Sequence, residues 1–149
     1  MWMSEIAERA MMDAMSSLDV TFRASRVDNE TTEETERKKY PMIGLVAGGG
    51  STDTTESLFY SLPLMMSIVT HYTDDPKRTI LAGLEDSARK ILDKKIAMST
   101  VKTSFDAVAA AAGETRYLKG ITDIDGGVPD LTDTTQTIII NMVMHVCGS

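Results

Sequence analysis

Apolar and polar positions alternate most plainly near the C-terminal end of this chain. Ile138, Ile140, Met142, Met144 and Val146 fall on one side, and Ile139, Asn141, Val143, His145 and Cys147 on the other. A period of two is the mark of a strand. Because both sides are largely apolar, the pattern predicts a strand that is central or covered on each face. The same period predicts a strand from Asp19 to Val27, with Val20, Phe22 and Ala24 opposite Thr21, Arg23 and Ser25. Further strands are expected at Tyr40–Val46, with Pro41 at its start, and at Ser57–Tyr72, with Pro63 marking a bulge or an edge. A shorter one is expected from Arg116 to Asp123.

Helical spacing takes over after Tyr72. Ile80, Leu81, Leu84, Ala88, Ile91 and Leu92 recur on one face, while Arg78, Glu85, Arg89, Lys90 and Asp93 fall largely off it. Asp75 then reads as the N-cap and Pro76 as the first helical residue, where its missing N–H costs nothing. Lys94 and Lys95 suit the negative end of the helix dipole. At the N-terminus Ser4 is placed to cap a helix running to about Ser17, with Glu5 and Glu8 near its positive end. A shorter helix is expected to begin at Thr103 or Ser104, hold Phe105, Val108, Ala109 and Ala112, and end at Gly113.

Polar stretches separate these elements. Asp28–Lys39 carries Glu30, Glu33, Glu34 and Glu36 before Arg37, and Ala47–Thr55 contains Gly48, Gly49, Gly50 and Asp53. Both are long for simple connections. They are either solvated loops or segments that contact partners. Asp125-Gly126-Gly127 reads as a turn, and Pro129–Thr135 as turn-like. The whole predicts one α+β domain over residues 1–149. Its mainly antiparallel sheet of about four to five strands carries an N-terminal helix and a main helix at about 76–95.

Composition narrows the function classes. A chain of 149 residues is long enough to bury a sizeable core, and its 42% hydrophobic content suits a globular fold. Only 5% of residues are aromatic, so the eleven methionines take part of the core-filling role. The net charge of −7 argues against a broad phosphate-binding surface but is compatible with a channel wall past which DNA slides. One cysteine, Cys147, excludes an intramolecular disulfide and a multi-cysteine zinc site. No apolar run is long enough to span a membrane, and the N-terminus lacks the pattern of a signal peptide, so synthesis in the cytoplasm is expected.

Motifs for chemistry are missing. Gly48-Gly49-Gly50-Ser51-Thr52 resembles a phosphate-cradling loop but lacks the lysine before Ser51. His71 and His145 could meet with Asp74 or Asp75 in a metal or catalytic site only if their strands were suitably adjacent. A structural role for each is the simpler reading. Cys147 and His145 share a strand face but want a third, orienting group. Asp123, Asp125, Asp130 and Asp133 lack the spacing of a calcium loop. No catalytic residue, cofactor or metal is expected.

The order of elements carries a resemblance. A helix, a strand and a polar excursion lead to a strand opening Tyr40-Pro41-Met42-Ile43-Gly44-Leu45. A long strand then ends in Thr70-His71-Tyr72-Thr73-Asp74-Asp75 before the amphipathic helix and the late alternating strand. This arrangement resembles the tail terminator or head–tail completion (neck) proteins of long-tailed bacteriophages. The resemblance implies a non-enzymatic virion protein, made in the host cytoplasm, whose subunits close into a ring, a hexamer. That ring would cap the tail tube protein and join it to the head-completion or connector protein, with DNA passing through unbound and no membrane involved. A head-closure, minor tail or tail-tube protein of the same particle is the neighbouring alternative. A small α+β enzyme or ligand-binding domain is the alternative from another class. Partner contacts would fall on Glu30, Glu33, Glu34, Glu36, Arg37, Gly48, Gly49, Gly50 and Asp53.

Overall fold

The computed structural model describes residues 2–25, 40–48, 51–52, 59–92, 97–126, 129–132 and 134–148. They form helices α1 (Met3–Ala14), α2 (Thr79–Leu92) and α3 (Ala97–Ala111). The strands are β1 (Thr21–Ala24), β2 (Met42–Ala47), β3 (Ser51–Thr52), β4 (Phe59–His71), β5 (Tyr117–Gly126), β6 (Asp130–Leu131) and β7 (Thr135–Cys147). The class is α+β, as the periodicities predict. The sheet runs β1-β2-β4-β7-β5, and the two-residue strands β3 and β6 pair with β4 and β7, raising the count above the four to five expected. Every pairing is antiparallel except β1 with β2, which is parallel.

The spine of the sheet is the β4–β7 ladder, thirteen residue pairs from Phe59↔Cys147 to His71↔Thr135 without a register shift. Its inward residues, Leu62, Leu64, Met66 and Ile68 on β4 and Ile138, Ile140, Met142, Met144 and Val146 on β7, are buried. α1 and α3 pack on each other, α1 also lies on β2, α2 lies on β4 and β7, and α3 reaches β5. Ile6, Ala10 and Met11 of α1, Leu81 and Ala88 of α2, and Val101 and Phe105 of α3 close the same core. Phe105 is among the largest fully buried side chains, which makes α3 a core element rather than a peripheral turn.

Several expectations need correction. α2 begins at Thr79, not at Pro76, and its last described residue is Leu92. Arg78, with φ +58, stands at the N-cap position, since its carbonyl accepts from Ala82 N–H. An arginine side chain cannot cap its own helix. Asp75 does so from three residues upstream, accepting Ile80 N–H at 3.0 Å and Leu81 N–H at 2.9 Å. α1 opens on Trp2 with no side-chain cap, Ser4 lies buried inside the helix, and the helix stops at Ala14. α3 starts at Ala97, well before Thr103. Gly113 ends it as expected: at φ +79 it lets Glu114 N–H reach Ala109 O and Gly113 N–H reach Ala110 O. Asp125 and Gly126 belong to β5 rather than to a turn, and β6 lies within the stretch read as turn-like. β7 is central, one of the two settings the pattern allows, and the described helices all pack on its Ile138–Val146 side.

Pro63 marks neither a bulge nor an edge, since it pairs with Val143 in regular register. Its carbonyl accepts Gly48 N–H at 2.8 Å, so the polar side of this residue faces β2 and β3. Pairing on that side stops at Ala47↔Leu64 and resumes at Ser51↔Ser61. The missing N–H therefore falls where no ladder partner is required. A Cβ on Gly48 would come within 2.7 Å of the Pro63 ring, so the glycine is a packing requirement.

Asp75 gathers a buried network at the end of the spine. Its carboxylate also accepts Thr70 Oγ1 at 3.2 Å, and its carbonyl accepts Gln136 Nε2 at 2.7 Å, tying α2 to β4 and β7 at once. Replacing Asp75 with Ala strands two helix N–H groups and a buried hydroxyl. We expect a loss of about 2–4 kcal/mol, read in urea unfolding as a lower midpoint with an unchanged slope. Phe105→Ala is expected to cost about 3–5 kcal/mol in the same assay.

Candidate functional site on the open face of the sheet

With the helices on one side, the outward residues of four strands make a continuous second face. Register sets it out in rows. Val46, Met65, Asn141 and Asp125 form one row; Pro63, Val143 and Thr122 the next; Gly44, Ser67 and Ile139 the row on the other side. Val46 is 45% exposed, and Met65 and Ile139 are each 37% exposed. Contiguous apolar residues left open in this way mark interaction surfaces more often than isolated ones do.

A shallow groove of about 450 Å³ lies across this face, lined by Val46, Gly48, Pro63, Met65, Val143, Asn141, Asp123 and Asp125 among others. Its apolar floor comes from β2, β4 and β7 and its acidic wall from β5. Two register shifts in β5, between Leu118 and Gly120 and between Thr122 and Asp125, bend that strand. Asp123 takes φ +55 at the second, a conformation that aspartate tolerates better than most residues. Beside the groove, Thr122 Oγ1 lies 2.6 Å from His145 Nε2. A second concavity of about 330 Å³ lies between α1 and α3, lined by Arg9, Met12, Asp13, Val108, Ala111 and Ala112.

Of the partner-contact candidates, Gly48 lines the groove and is held against Pro63. Glu30, Glu33, Glu34, Glu36, Arg37, Gly49, Gly50 and Asp53 lie outside the described residues. No protein-family model matches the chain, and no curated protein matches it at a significant level.

The candidate chemical groups are dispersed. His71 and His145 sit ten positions apart along the spine, about 33 Å. His71 Nδ1 accepts Thr73 N–H at 3.1 Å and its ring leans on Tyr40, centroids 5.7 Å apart. Asp75 is occupied as a helix cap, Asp74 is exposed, and Cys147 is buried. Asp123 and Asp125 share the groove, Asp130 pairs further along β7, and Asp133 lies outside the described residues. Among the described residues no group of three or more His, Cys, Asp or Glu could hold a metal ion, and no helix is long and apolar enough to cross a membrane.

Glu8 has a role the sequence reading missed. It is buried and accepts Ser25 Oγ at 2.7 Å and Ala47 N–H at 2.9 Å, joining α1 to the ends of β1 and β2. Lys102 and Asp106 make a similar tie from α3: Asp106 accepts Leu118 N–H at 3.0 Å and Lys102 Nζ at 2.7 Å, and Lys102 also donates to Leu118 O at 3.2 Å.

The two faces of the spine should differ sharply in tolerance. Met65→Lys and Ile139→Lys are expected to leave subunit stability within about 1 kcal/mol of wild type. Met66→Lys and Ile140→Lys, one residue further on, place a charge in the core and should prevent folding. Far-UV circular dichroism with urea titration separates the two outcomes.

Proposed function

We propose that this chain is a ring-forming structural subunit of a long-tailed phage virion, the terminator that caps the tail tube and joins it to the head connector. The observation that carries the reading is the sheet face that none of the described helices covers, on which Val46, Met65 and Ile139 stand exposed, a surface better suited to a neighbour than to water. Three further features support it. The order of elements resembles that of tail terminator and neck proteins. The surplus of acidic residues suits a passage through which DNA moves without being gripped. His71, His145 and Asp75, the groups from which the alternative enzyme reading would build a site, lie in separate structural settings.

Closed rings use two different patches on each subunit, so head-to-tail contacts must satisfy both in every copy. In this reading the ring meets the tail tube protein on one side and the head-completion protein on the other, and takes no cofactor. Sedimentation velocity over a range of concentration and salt, with electron micrographs of the same sample, tests it. The expected result is a discrete ring near six times the 16.3 kDa subunit mass. Long tubes would reassign the chain to a tail-tube role. A subunit that stays monomeric, even when mixed with purified tail tubes, would overturn the proposal.

A further inference from the structure

The groove on the open face is apolar with an acidic wall, and elsewhere the same chain presents an exposed turn of complementary character. Where the chain leaves β4 and enters α2, Tyr72 and Ile80, the latter in the first turn of α2, are 55% and 41% exposed, and Lys77 and Arg78 are exposed between them. Asp74 is the exposed acid of this turn, since the Asp75 side chain is turned inward to cap α2. The inward bonds of Asp75 and the positive φ of Arg78 set the backbone of this turn, whose exposed Tyr72, Ile80, Lys77 and Arg78 make it an apolar and basic knob. The groove offers Val46, Pro63, Met65 and Val143 below Asp123 and Asp125, and no base among its described lining residues.

We infer that the groove receives the 72–80 turn of a second copy of this chain, with Ile80 and Tyr72 on the apolar floor and Lys77 and Arg78 against Asp123 and Asp125. The inference rests on the ring reading and gives that ring its contact. Knob and groove lie on different parts of one subunit, so the contact is heterologous and repeats head to tail, as cyclic closure demands. The charges lie at the rim, where they select partner and register while the apolar centre is desolvated. Assembly should therefore weaken as salt rises.

The test is a charge exchange between the two patches. One variant carries Lys77→Glu and Arg78→Glu. The other carries Asp123→Asn and Asp125→Lys, asparagine being chosen because it tolerates the left-handed backbone at that position. All four side chains are exposed, and far-UV circular dichroism checks that each variant folds; Asp125→Lys alone replaces the second variant if it does not. In sedimentation velocity each variant by itself should need about tenfold or more higher concentration than wild type to assemble. A one-to-one mixture should regain rings, because acidic knobs then meet the basic groove and basic knobs meet the acidic one. Wild-type rings with neither variant impaired would overturn this contact and leave the ring reading standing. Rings unaffected by the variants but no longer joining tail tubes would assign the groove to another partner and overturn the contact equally. A wild-type chain that never self-associates would overturn the contact together with the ring.

Discussion

The long antiparallel ladder between β4 and β7 is the constraint on which the rest of the molecule depends. Thirteen consecutive pairs give it the length to carry β2 and β3 on one flank and β5 and β6 on the other. Its inward side chains supply most of the sheet's share of the core, and the three described helices close that core from one side, α1 and α2 on the ladder or its flank and α3 through β5 and its neighbouring helices. Because side chains alternate, any ladder that builds such a core also builds a second face of equal length. The open face is thus a by-product of the core's geometry, and its composition decides what it can do.

Helices lie on a sheet in many orientations if only apolar contact holds them, because that contact is non-directional. Here each is fixed by a carboxylate placed where strand meets helix. Asp75 seats the start of α2 against Thr70 and Gln136; Glu8 seats α1 against Ser25 and Ala47; Asp106, with Lys102, seats α3 against Leu118. Each accepts backbone N–H groups directly: Asp75 those of Ile80 and Leu81, Glu8 that of Ala47, and Asp106 that of Leu118. Part of the chain's acidity thus serves its architecture rather than its surface.

Most of the architecture was legible in the sequence. The period-two run through Val146, the apolar helical stripe from Ile80 to Leu92 and the glycine stop at Gly113 each named an element that is present. Boundaries failed where tertiary contacts overrode local signals. Asp75-Pro76 looked like a helix start, but the carboxylate is drawn into a network with Gln136, sixty-one residues away, that no local pattern encodes. Pro63 looked like an edge residue because nothing nearby announced that the neighbouring ladder breaks beside it. The open face is only half legible in the sequence. Ile139 and Val143 were seen to be apolar, yet whether a second layer covers them depends on where the helices go, and all those described pack on the other side. Glu8 was hidden for the same reason: a carboxylate in the first turns of a helix reads as a dipole effect until Ala47 comes to meet it.

The two apolar faces of the central strands have a consequence for how the chain finds its pairing. In most one-sided sheets a slip of one residue is penalised at once, since it turns the apolar set toward water. On β7 that penalty is uneven, because Ile139 and Val143 could stand in for Ile140 and Met142, whereas the same slip would carry Asn141 and His145 into the core. Two further groups sharpen the register. Pro63 is one: a one-residue slip of β4 would rotate its missing donor from the broken ladder beside Gly48 toward β7, where every position of the strand is paired. Gln136 is the other: a slip of β7 would swing its amide away from the Asp75 carbonyl. An imino acid on one strand and a buried amide on the other thus act as keys to the spine, each reinforcing the single alignment that the side-chain pattern favours.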